Sequence, residues 1–388
     1  MSNIILPGSV IELSRKALQN NIDFIRERIG KKVVFSSVIK GNAYGHGIEQ
    51  FVPMAIEAGV NHFSVFSADE AQRVVNIVGN KKVTIMIMGL IDNDSLEWAI
   101  RNKIEFFVFD LDRLKKAAET AASVNKKAII HLEFETGMNR TGFNQTQLTK
   151  AINILKQHTE HIQLKGACTH FAGAENVSNL QRIEKQIKIF YQLLNKLAKQ
   201  DLKPMQLHTN CSAAVISYPK MNLDLVRVGI LQYGLWPSKE TYVDYIKDQK
   251  NKTDRLKRLI TWKSKIMSTK KVLQGEFIGY GSSFAARVDM KIAIIPIGYA
   301  HGYSRSLSNQ GSVIVKGKPF SIIGIVNMNV LMIDITTFPQ IKKGDEATLI
   351  GTDGEESISI ASFSELSNQL NYEMLTRLPG NIPRKVVN

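Results

Sequence analysis

A lysine stands at the end of a short apolar run, where an enzyme built on a parallel sheet keeps its reactive groups. Lys40 follows the run 33–39, and glycines at 41, 45 and 47 form a flexible loop after it. Burial and nearby cations lower the pKa of such an amine from about 10.4 and allow it to bond covalently to a carbonyl carbon. Position alone favours an ordinary surface lysine, whereas the glycine loop leading into a helix favours a reactive amine beside an anion site.

Residues later in the chain complete a site for a small phosphorylated ligand. Arg227 is a cation two residues before Gly229, where the lack of a side chain lets the backbone approach a phosphate. Pyridoxal phosphate fits this set, because it offers an aldehyde to Lys40 and a ring nitrogen to Arg227. Its phosphate would be held by the remaining donors, which are Tyr44, Ser212, Gly229 and Ile230. No Gly-Lys-Ser/Thr phosphate loop occurs, so the sequence gives no support to a nucleoside triphosphate.

The elements that must position these groups follow from the hydrophobic pattern. Short runs rich in β-branched residues alternate with longer amphipathic stretches, as in repeated strand–helix units. The predicted strands are 33–39, 62–66, 83–88, 104–108, 128–132, 162–169, 205–208 and 225–228. The predicted helices are 47–58, 68–78, 95–102, 112–123, 146–157, 180–199 and 212–217. Ser67 with Glu70 three residues later predicts a capping box at the start of the second helix.

About eight strands, each followed by a helix or a crossover, predict an α/β fold with an N-terminal (β/α)8 barrel of the TIM type. A doubly wound open sheet is the alternative. A lysine-rich stretch at 247–257 indicates a linker or an exposed helix. Beyond it, short strands separated by turn residues predict a mostly β domain; they are 262–269, 292–297, 312–315, 320–326, 332–335 and 346–350. We therefore expect a barrel domain at 14–250 and a C-terminal β domain made of 251–388 plus 1–13.

Composition argues against several other classes of protein. The 388 residues carry 50 Lys and Arg against 35 Asp and Glu, but the basic residues are scattered in pairs, which disfavours nucleic-acid binding. The two cysteines, Cys168 and Cys211, are too few for a disulfide scaffold and fit a reducing compartment. His158 and His161 have no matching ligands nearby in sequence, so no metal site is expected. Because neither a secretory signal nor a membrane-spanning run is evident, we expect a cytoplasmic protein with no membrane partner.

Six motifs occur in one order along nearly the whole chain, and together they resemble the alanine racemase family. They are VIKGNAYGHG at 38–47, TGMNRTG at 136–142, THFA at 169–172, RVGI at 227–230, GYG at 279–281 and PIGYA at 296–300. Any one of them would be a weak signal. The resemblance implies a barrel that binds pyridoxal phosphate, a following β domain and a head-to-tail homodimer with shared active sites. It also implies racemisation of L-alanine to D-alanine for cell-wall precursors.

The resemblance assigns two acid–base groups to the reaction. Lys40 would hold the cofactor covalently and serve as one of them, and the partner subunit's Tyr280 would serve as the other on the opposite face of the substrate. Racemisation removes a proton from one face and returns it on the other, so two groups on opposite sides suit it. Arg227 would face the pyridine nitrogen without protonating it, which should suppress side reactions, and His170 would help to orient the ring.

The resemblance also places the substrate. Arg140 and the backbone around Met328 would handle its carboxylate, and Met328 and Tyr299 would line the entrance from the partner chain. Glu133 stands where the family often has a carbamylated lysine, and Glu135 stands where it has an aspartate. Both a carbamate and a glutamate present an anion, so we predict that Glu133 steadies Arg140 directly.

Other departures from the family pattern bear on substrate choice. The family's Cys-Met-Asp is replaced at 327–329 by Asn-Met-Asn, its Tyr-Ala-Asp-Gly has His301 in place of the aspartate, and its phosphate-contacting tyrosine corresponds to Gly380. These changes leave open a serine racemase or a racemase of broad specificity. Two further alternatives are an amino-acid decarboxylase, which Arg227 disfavours, and a non-catalytic pyridoxal-phosphate-binding protein, which the β domain and Tyr280 disfavour.

Overall fold

A computed structural model describes residues 8–247, 249–360 and 371–388. The chain divides into two compact units. One unit comprises residues 17–43 and 51–257, and the other comprises 1–16, 44–50 and 258–388. Each unit is built around its own sheet.

The first unit is a barrel of eight parallel strands, as the sequence predicts. Its strands are β2 (Val34–Val38), β3 (His62–Ser67), β4 (Thr84–Leu90), β5 (Glu105–Val108), β6 (Ala128–Glu133), β7 (Ile162–Cys168), β8 (Gln206–His208) and β9 (Leu225–Val228). They lie in the order β8-β7-β6-β5-β4-β3-β2-β9. Across the remaining seam, the backbone N–H of Asp224 donates to Leu207 O at 3.0 Å and that of Arg227 donates to Asn210 O at 2.9 Å. The sheet is therefore a nearly closed barrel.

Helices follow the strands because each connection carries an apolar stripe at helical spacing. They are α1 (Arg15–Ile29), α3 (Ile48–Glu57), α4 (Ala68–Val78), α5 (Asn93–Arg101), α6 (Leu111–Ser123), α7 (Gln145–Gln157), α8 (Leu180–Ala198), α9 (Ser212–Ser217) and α10 (Lys239–Lys247). The short segment α2 (Lys40–Tyr44) is a left-handed turn and not an amphipathic helix. Local caps define some of the starts: Asn144 and Gln147 form a capping box at α7. No helix among the described residues is long and apolar enough to span a bilayer.

The capping box predicted at the start of α4 is wrong. Ser67 is the N-cap residue, but its hydroxyl makes no capping bond and instead donates to Asp69 Oδ1 at 2.5 Å. Glu70 does not fold back onto Ser67, because its carboxylate accepts hydrogen bonds from three backbone N–H groups at the ends of β2 and β3. Because Glu70 accepts hydrogen bonds from residues 41 and 42, which are distant in sequence, the local capping box does not form.

The second unit is rich in strands, which confirms the predicted β domain. Its strands are β1 (Ser9–Ser14), β10 (Ile260–Lys265), β11 (Ser268–Val272), β12 (Met290–Ile295), β13 (Ser312–Val315), β14 (Lys318–Ile323), β15 (Leu331–Asp334), β16 (Glu346–Asp353), β17 (Glu356–Ile358) and β18 (Arg384–Val387), and it also holds α11 (Asn371–Thr376). The strand order is β11-β12-β15-β14-β13-β16-β10-β1-β18, with β17 on β16. Residues 249–259 contain neither helix nor strand, so the lysine-rich stretch is a linker.

Gly45 and Gly30 both adopt a left-handed backbone conformation, but a side chain would clash with a neighbouring segment only at Gly45. Gly45 has φ 80°, and a Cβ placed on it would lie 1.8 Å from the carbonyl oxygen of Leu375. Gly30 has a similar φ of 77°, but a Cβ there would meet nothing within 4 Å. Only Gly45 is therefore required for close approach as well as for conformation.

We expect Gly30→Ala to lower the free energy of unfolding by about 1 to 2 kcal/mol, the cost of one left-handed non-glycine residue. Gly45→Ala should cost at least about 1 to 3 kcal/mol more, since a backbone segment must move to accept the new atom. Urea unfolding of both variants measures the difference. Equal losses would show that residues 45 and 375 do not approach each other so closely.

Candidate active site

Lys40 is presented by an unusual turn at the end of β2. The carbonyl of Val38 accepts from Gln232 Nε2 at 2.9 Å and from the Tyr233 hydroxyl at 3.0 Å, which fixes the end of the strand. Residues 41–44 then adopt left-handed helical geometry, with φ of 63°, 56°, 53° and 51°. Three of these four residues are not glycine, so the turn costs about 1 to 2 kcal/mol for each of the three. Something outside the turn must stabilise it.

Glu70, on α4, supplies that stabilisation. Its Oε1 accepts from the backbone N–H of Gly41 at 2.7 Å and of Asn42 at 3.2 Å, and its Oε2 accepts from Phe66 N–H at 2.9 Å. The side chain of Asn42 is held in turn by Arg73, whose Nη2 donates at 2.7 Å. A carboxylate at 8% exposure thus ties the loop after Lys40 to the neighbouring strand end.

The surroundings of Lys40 disfavour its charged form. The side chain remains accessible to solvent, but protein atoms crowd around it, and this partial desolvation lowers the pKa of the amine. The positive charges of Arg140 and Arg227 lower it further, while Glu70 acts in the opposite direction. An accessible amine with a lowered pKa is the group that attacks a carbonyl carbon.

Arg227, at 5% exposure, has only one unused hydrogen-bond donor. Its Nη1 donates to the Nδ1 of His208 in a short contact and to His208 O at 3.1 Å. Its Nη2 donates to Thr169 O at 2.8 Å and to Thr209 O at 3.2 Å. Within residues 8–247, 249–360 and 371–388, no acceptor bonds to its Nε–H. The guanidinium is fixed in orientation and keeps a single N–H for a ligand.

Two glutamates organise the loop that carries Arg140. The carboxylate of Glu135 accepts from the backbone N–H of Gly137 at 2.5 Å, of Asn139 at 2.8 Å and of Arg140 at 3.3 Å. Glu133, the last residue of β6, lies 4.0 Å from Arg140 Nη2 and accepts from the Thr141 hydroxyl at 2.7 Å. Burial raises the pKa of Glu133, although Thr141 and Arg140 oppose the shift. Arg140 itself stays 55% exposed and able to meet a ligand.

Further polar groups lie beyond β7, β8 and β9. Burial, with the charges of Arg227, Arg140 and Lys40, lowers the pKa of His170 to about 3, so its ring is neutral at pH 7. Ser212 Oγ accepts from Gly229 N–H at 3.0 Å, and the Ser212 hydroxyl proton has no acceptor in the described part of the chain. Ile230 begins a 3-10 turn, whose first backbone N–H groups have no partner within the turn. These donors suit an anion.

The other predicted residues belong to the second unit. Tyr280, 73% exposed, sits at the tip of a loop between Gly279 and Gly281, which have φ of 77° and 71°. Tyr299 and Met328 are 43% and 55% exposed, and their loops are paired by a bond from Tyr299 N–H to Asn327 O at 3.0 Å. The ring of Tyr44 packs edge-on against Tyr372, with centroids 6.1 Å apart.

Predicted site residues therefore fall into two groups. The barrel unit holds Lys40, Glu133, Arg140, His170, Ser212, Arg227, Gly229 and Ile230. The second unit holds Tyr44, Tyr280, Tyr299 and Met328. Sequence reasoning missed Glu70, His208 and Gln232 as supports of Lys40 and Arg227. For His208 and Gln232, the available signal was a polar residue within or just after an apolar strand. Which of such residues support the site depends on contacts between segments that are distant in sequence.

The chain is similar in sequence to known proteins over nearly its whole length. Residues 13–237 match the model of the alanine racemase N-terminal domain, and residues 259–386 match that of the C-terminal domain. An alanine racemase from Leptospira interrogans is 35% identical over 380 residues, which cover 98% of this chain and 96% of that protein. The chain belongs to the alanine racemase family.

Solved structures of other alanine racemases share the fold. The enzyme from Clostridium difficile 630 has a TM-score of 0.89 at 29% identity, covering 99% of this chain and 96% of that one. The enzyme from Bacillus anthracis, solved with bound L-Ala-P, gives the same TM-score, identity and coverage. At Gly380, which the sequence comparison above sets against the family's tyrosine, a Cβ would meet nothing within 4 Å. The side chain is thus absent from an open position.

We expect Glu70→Ala to unfold the turn that follows Lys40. The substitution leaves three backbone N–H groups without their acceptor, and each costs about 1 to 3 kcal/mol where it stays buried. Hydrogen exchange should speed up at the amides of Gly41, Asn42 and Phe66, and urea unfolding should show a loss of stability. The exposed Glu97, which pairs with Arg101 at 2.7 Å on α5, provides the matched control as Glu97→Ala. Unchanged protection at residues 41 and 42 in Glu70→Ala would contradict this role.

Proposed function

We propose that this protein is a pyridoxal-phosphate-dependent racemase that interconverts L-alanine and D-alanine with Lys40 and Tyr280 as its two acid–base groups. The observation that carries the proposal is the accessible Lys40 amine, whose pKa is lowered by desolvation and by Arg140 and Arg227. Full-length similarity to alanine racemases supports the same reaction. The sequence resemblance points to cell-wall precursor supply, and the two free cysteines fit a cytoplasmic setting.

The donors of the barrel unit fit pyridoxal phosphate. The Lys40 amine suits its aldehyde, and the unused Nε–H of Arg227 suits an unprotonated ring nitrogen. The Ser212 hydroxyl and the first backbone N–H groups of the turn at Ile230 suit its phosphate. Gly229, whose N–H donates to Ser212 Oγ, has no side chain to block the phosphate from the backbone, and the Tyr44 hydroxyl is the further phosphate donor that the resemblance implies. When bound, pyridoxal phosphate withdraws electrons from the Cα of an amino acid and so makes the Cα–H acidic.

The chain's own residues then control the proton. Lys40, with its amine uncharged, accepts a proton on one face of the substrate, and the Tyr280 hydroxyl holds or donates one on the other. Arg227 cannot transfer a proton at ordinary pH, so it binds the ring nitrogen without protonating it. That limits electron withdrawal, which disfavours decarboxylation and other side reactions. The neutral ring of His170 helps to orient the cofactor.

Arg140 would bind the substrate carboxylate. Its loop is fixed at the backbone by Glu135, while its guanidinium is exposed and only loosely paired with Glu133 at 4.0 Å. Glu133 in this way provides an anion from the protein itself. The backbone around Met328, with Tyr299, would complete the carboxylate site and its entrance.

The placement of Tyr280 supports our proposal of a homodimer with shared active sites. An exposed phenol between two left-handed glycines suits a residue presented to a second chain. The exposed side chains of Phe277, Tyr299 and Met328 give the same unit apolar surface for such a contact. We propose that each site combines Lys40 of one chain with the partner subunit's Tyr280, and that the chain is organised as a cofactor-binding barrel domain at 14–250 and a β domain made of 251–388 plus 1–13.

A panel of amino acids tests the reaction. The purified protein, loaded with pyridoxal phosphate, is incubated in heavy water with each L-amino acid, and deuterium at Cα and the D-enantiomer are measured. L-Alanine should give deuterated D-alanine, because the returning proton comes from a group in exchange with solvent. Lys40→Ala should abolish exchange, whereas Lys115→Ala, which alters an exposed lysine on α6, should retain it.

Other outcomes of the panel would replace the proposal. Faster Cα exchange with L-serine than with L-alanine would assign a serine racemase. Comparable Cα exchange with many different amino acids would assign a racemase of broad specificity. Carbon dioxide released from diamino acids would assign a decarboxylase. Absence of Cα exchange with every amino acid would leave a non-catalytic binding protein.

A further inference from the structure

A continuous line of polar side chains crosses the interior of the barrel from Glu105 to Arg227. Glu105 Oε2 lies 2.9 Å from His131 Nε2, and His131 Nδ1 lies 2.8 Å from His208 Nε2. His208 Nδ1 makes the short contact with Arg227 Nη1. These residues come from β5, β6, β8 and β9 and are at most 6% exposed. The line therefore joins a carboxylate to the guanidinium without contact with bulk water.

A glycine on β7 makes this line sterically possible. His131 and His208 belong to strands that are separated by β7 in the sheet. A Cβ on Gly166, in β7, would lie 2.0 Å from His131 Nδ1. Because Gly166 has no side chain, the His131 ring passes over β7 to reach His208.

Only one assignment of hydrogens satisfies every contact with neutral rings. Arg227 is always a donor, so His208 Nδ1 accepts and the His208 proton is on Nε2. That proton is donated to His131 Nδ1, so the His131 proton is also on Nε2 and is donated to Glu105. Burial lowers the pKa of both histidines, which keeps them neutral. Burial raises the pKa of Glu105, but the hydrogen bond from His131 and the nearby ring of His62, whose Nε2 lies 3.6 Å away, outweigh burial and hold the pKa at about 2.

Arg227 has no carboxylate bonded to it in the part of the chain that the structure describes. Its orientation depends on three carbonyls and on one imidazole nitrogen, and that nitrogen accepts only while the ring keeps its Nε2–H tautomer. A charged acceptor at the far end favours that tautomer in both rings and polarises each bond along the line.

We propose that Glu105 is a positioning residue for Arg227, acting through His131 and His208 to hold the guanidinium with its Nε–H directed at the cofactor's ring nitrogen. The role of Arg227 toward that nitrogen rests on the proposed function, whereas the hydrogen-bonded line does not. Glu105 itself is not in contact with the site. Its effect is transmitted by the tautomers of two buried rings.

The test is Glu105→Gln in the full-length protein loaded with pyridoxal phosphate, with histidine and arginine side chains labelled with 15N for NMR. An amide oxygen still accepts from His131, but the charge is lost, so the Nε2–H resonances of both histidines should move toward those of a weaker hydrogen bond. The Arg227 Nε–H resonance should move as well. The rate constant kcat for Cα exchange should fall by about tenfold, at the low end of what altering an outer hydrogen-bond partner of a site costs, with little change in KM.

Two further variants keep the result interpretable. Glu105→Leu removes the acceptor and should produce a mixture of tautomers at His131; if it does not fold, Glu105→Gln decides alone. Phe106→Leu changes the next side chain of β5, which points to the opposite face of the strand, and should leave all three resonances in place. The proposal is overturned if Glu105→Gln shifts only His131 and leaves His208 and Arg227 unmoved, or if Phe106→Leu shifts them equally.

These NMR signals separate the proposal from the reaction assignment. A protein that exchanges no Cα proton but shows the expected shifts would retain the hydrogen-bonded line and lose the proposed function. A protein that racemises alanine but shows no shift at Arg227 would retain the function and lose the role of Glu105.

Discussion

The barrel unit presents the Lys40 amine at the end of a strand, in surroundings that lower its pKa and disfavour the charged form. The charges of Arg140 and Arg227 act on Lys40, and Glu70, the carboxylate that opposes them, accepts hydrogen bonds from backbone N–H groups. An acid free to pair with Lys40 would stabilise the ammonium and raise its pKa. The carboxylate of Glu70 instead stabilises the left-handed turn that presents the amine. Structural support and charge control are thus met by one side chain.

A second consequence is a polar barrel interior. Interiors of such barrels are usually filled with branched apolar side chains, but this one encloses Glu105, His131, His208 and Arg227. Burying a cation without a direct carboxylate partner is costly unless its donors are all satisfied. Among the residues that the structure describes, carbonyls and a neutral imidazole accept from four of the five N–H groups of Arg227, and the Nε–H has no acceptor there. These contacts in the barrel interior hold the Arg227 guanidinium in one orientation.

Much of the fold could be predicted from the sequence because the strands and helices have strong, separate periodicities. The predicted helix 212–217 and strand 225–228 coincide with α9 and β9, and most other predicted ends lie within two residues. What failed depended on distant contacts. The Ser67–Glu70 pair satisfies a local signature, yet Glu70 bonds across to β2. The left-handed turn at 41–44 includes alanine and tyrosine, whose backbone preferences give no warning of it, although Gly41 and Asn42 tolerate that conformation.

The candidate site could be predicted in part for a related reason. Lys40, Arg140, His170 and Arg227 stand next to strand ends or within short motifs, so their spacing was informative. Glu105 and His131 lie inside strands with no motif around them, and their relation appears only when β5 to β9 are placed side by side. The departures from the family pattern at Glu133 and Gly380 were visible in the sequence, but their surroundings were not. Glu133 lies 4.0 Å from Arg140, and a Cβ at Gly380 would meet open space.

The proposed racemisation requires Lys40 and Tyr280 to act at one site from two different chains. Lys40→Ala and Tyr280→Phe are each expected to lose racemisation as homodimers. Hybrid dimers made by co-expressing the two variants with different tags have one site that combines an intact Lys40 with the partner subunit's Tyr280. Purified hybrids should therefore recover about half of the wild-type turnover, since one of the two symmetric sites is complete. Hybrids as inactive as both parents would show that the two groups do not meet across the dimer and would contradict the account.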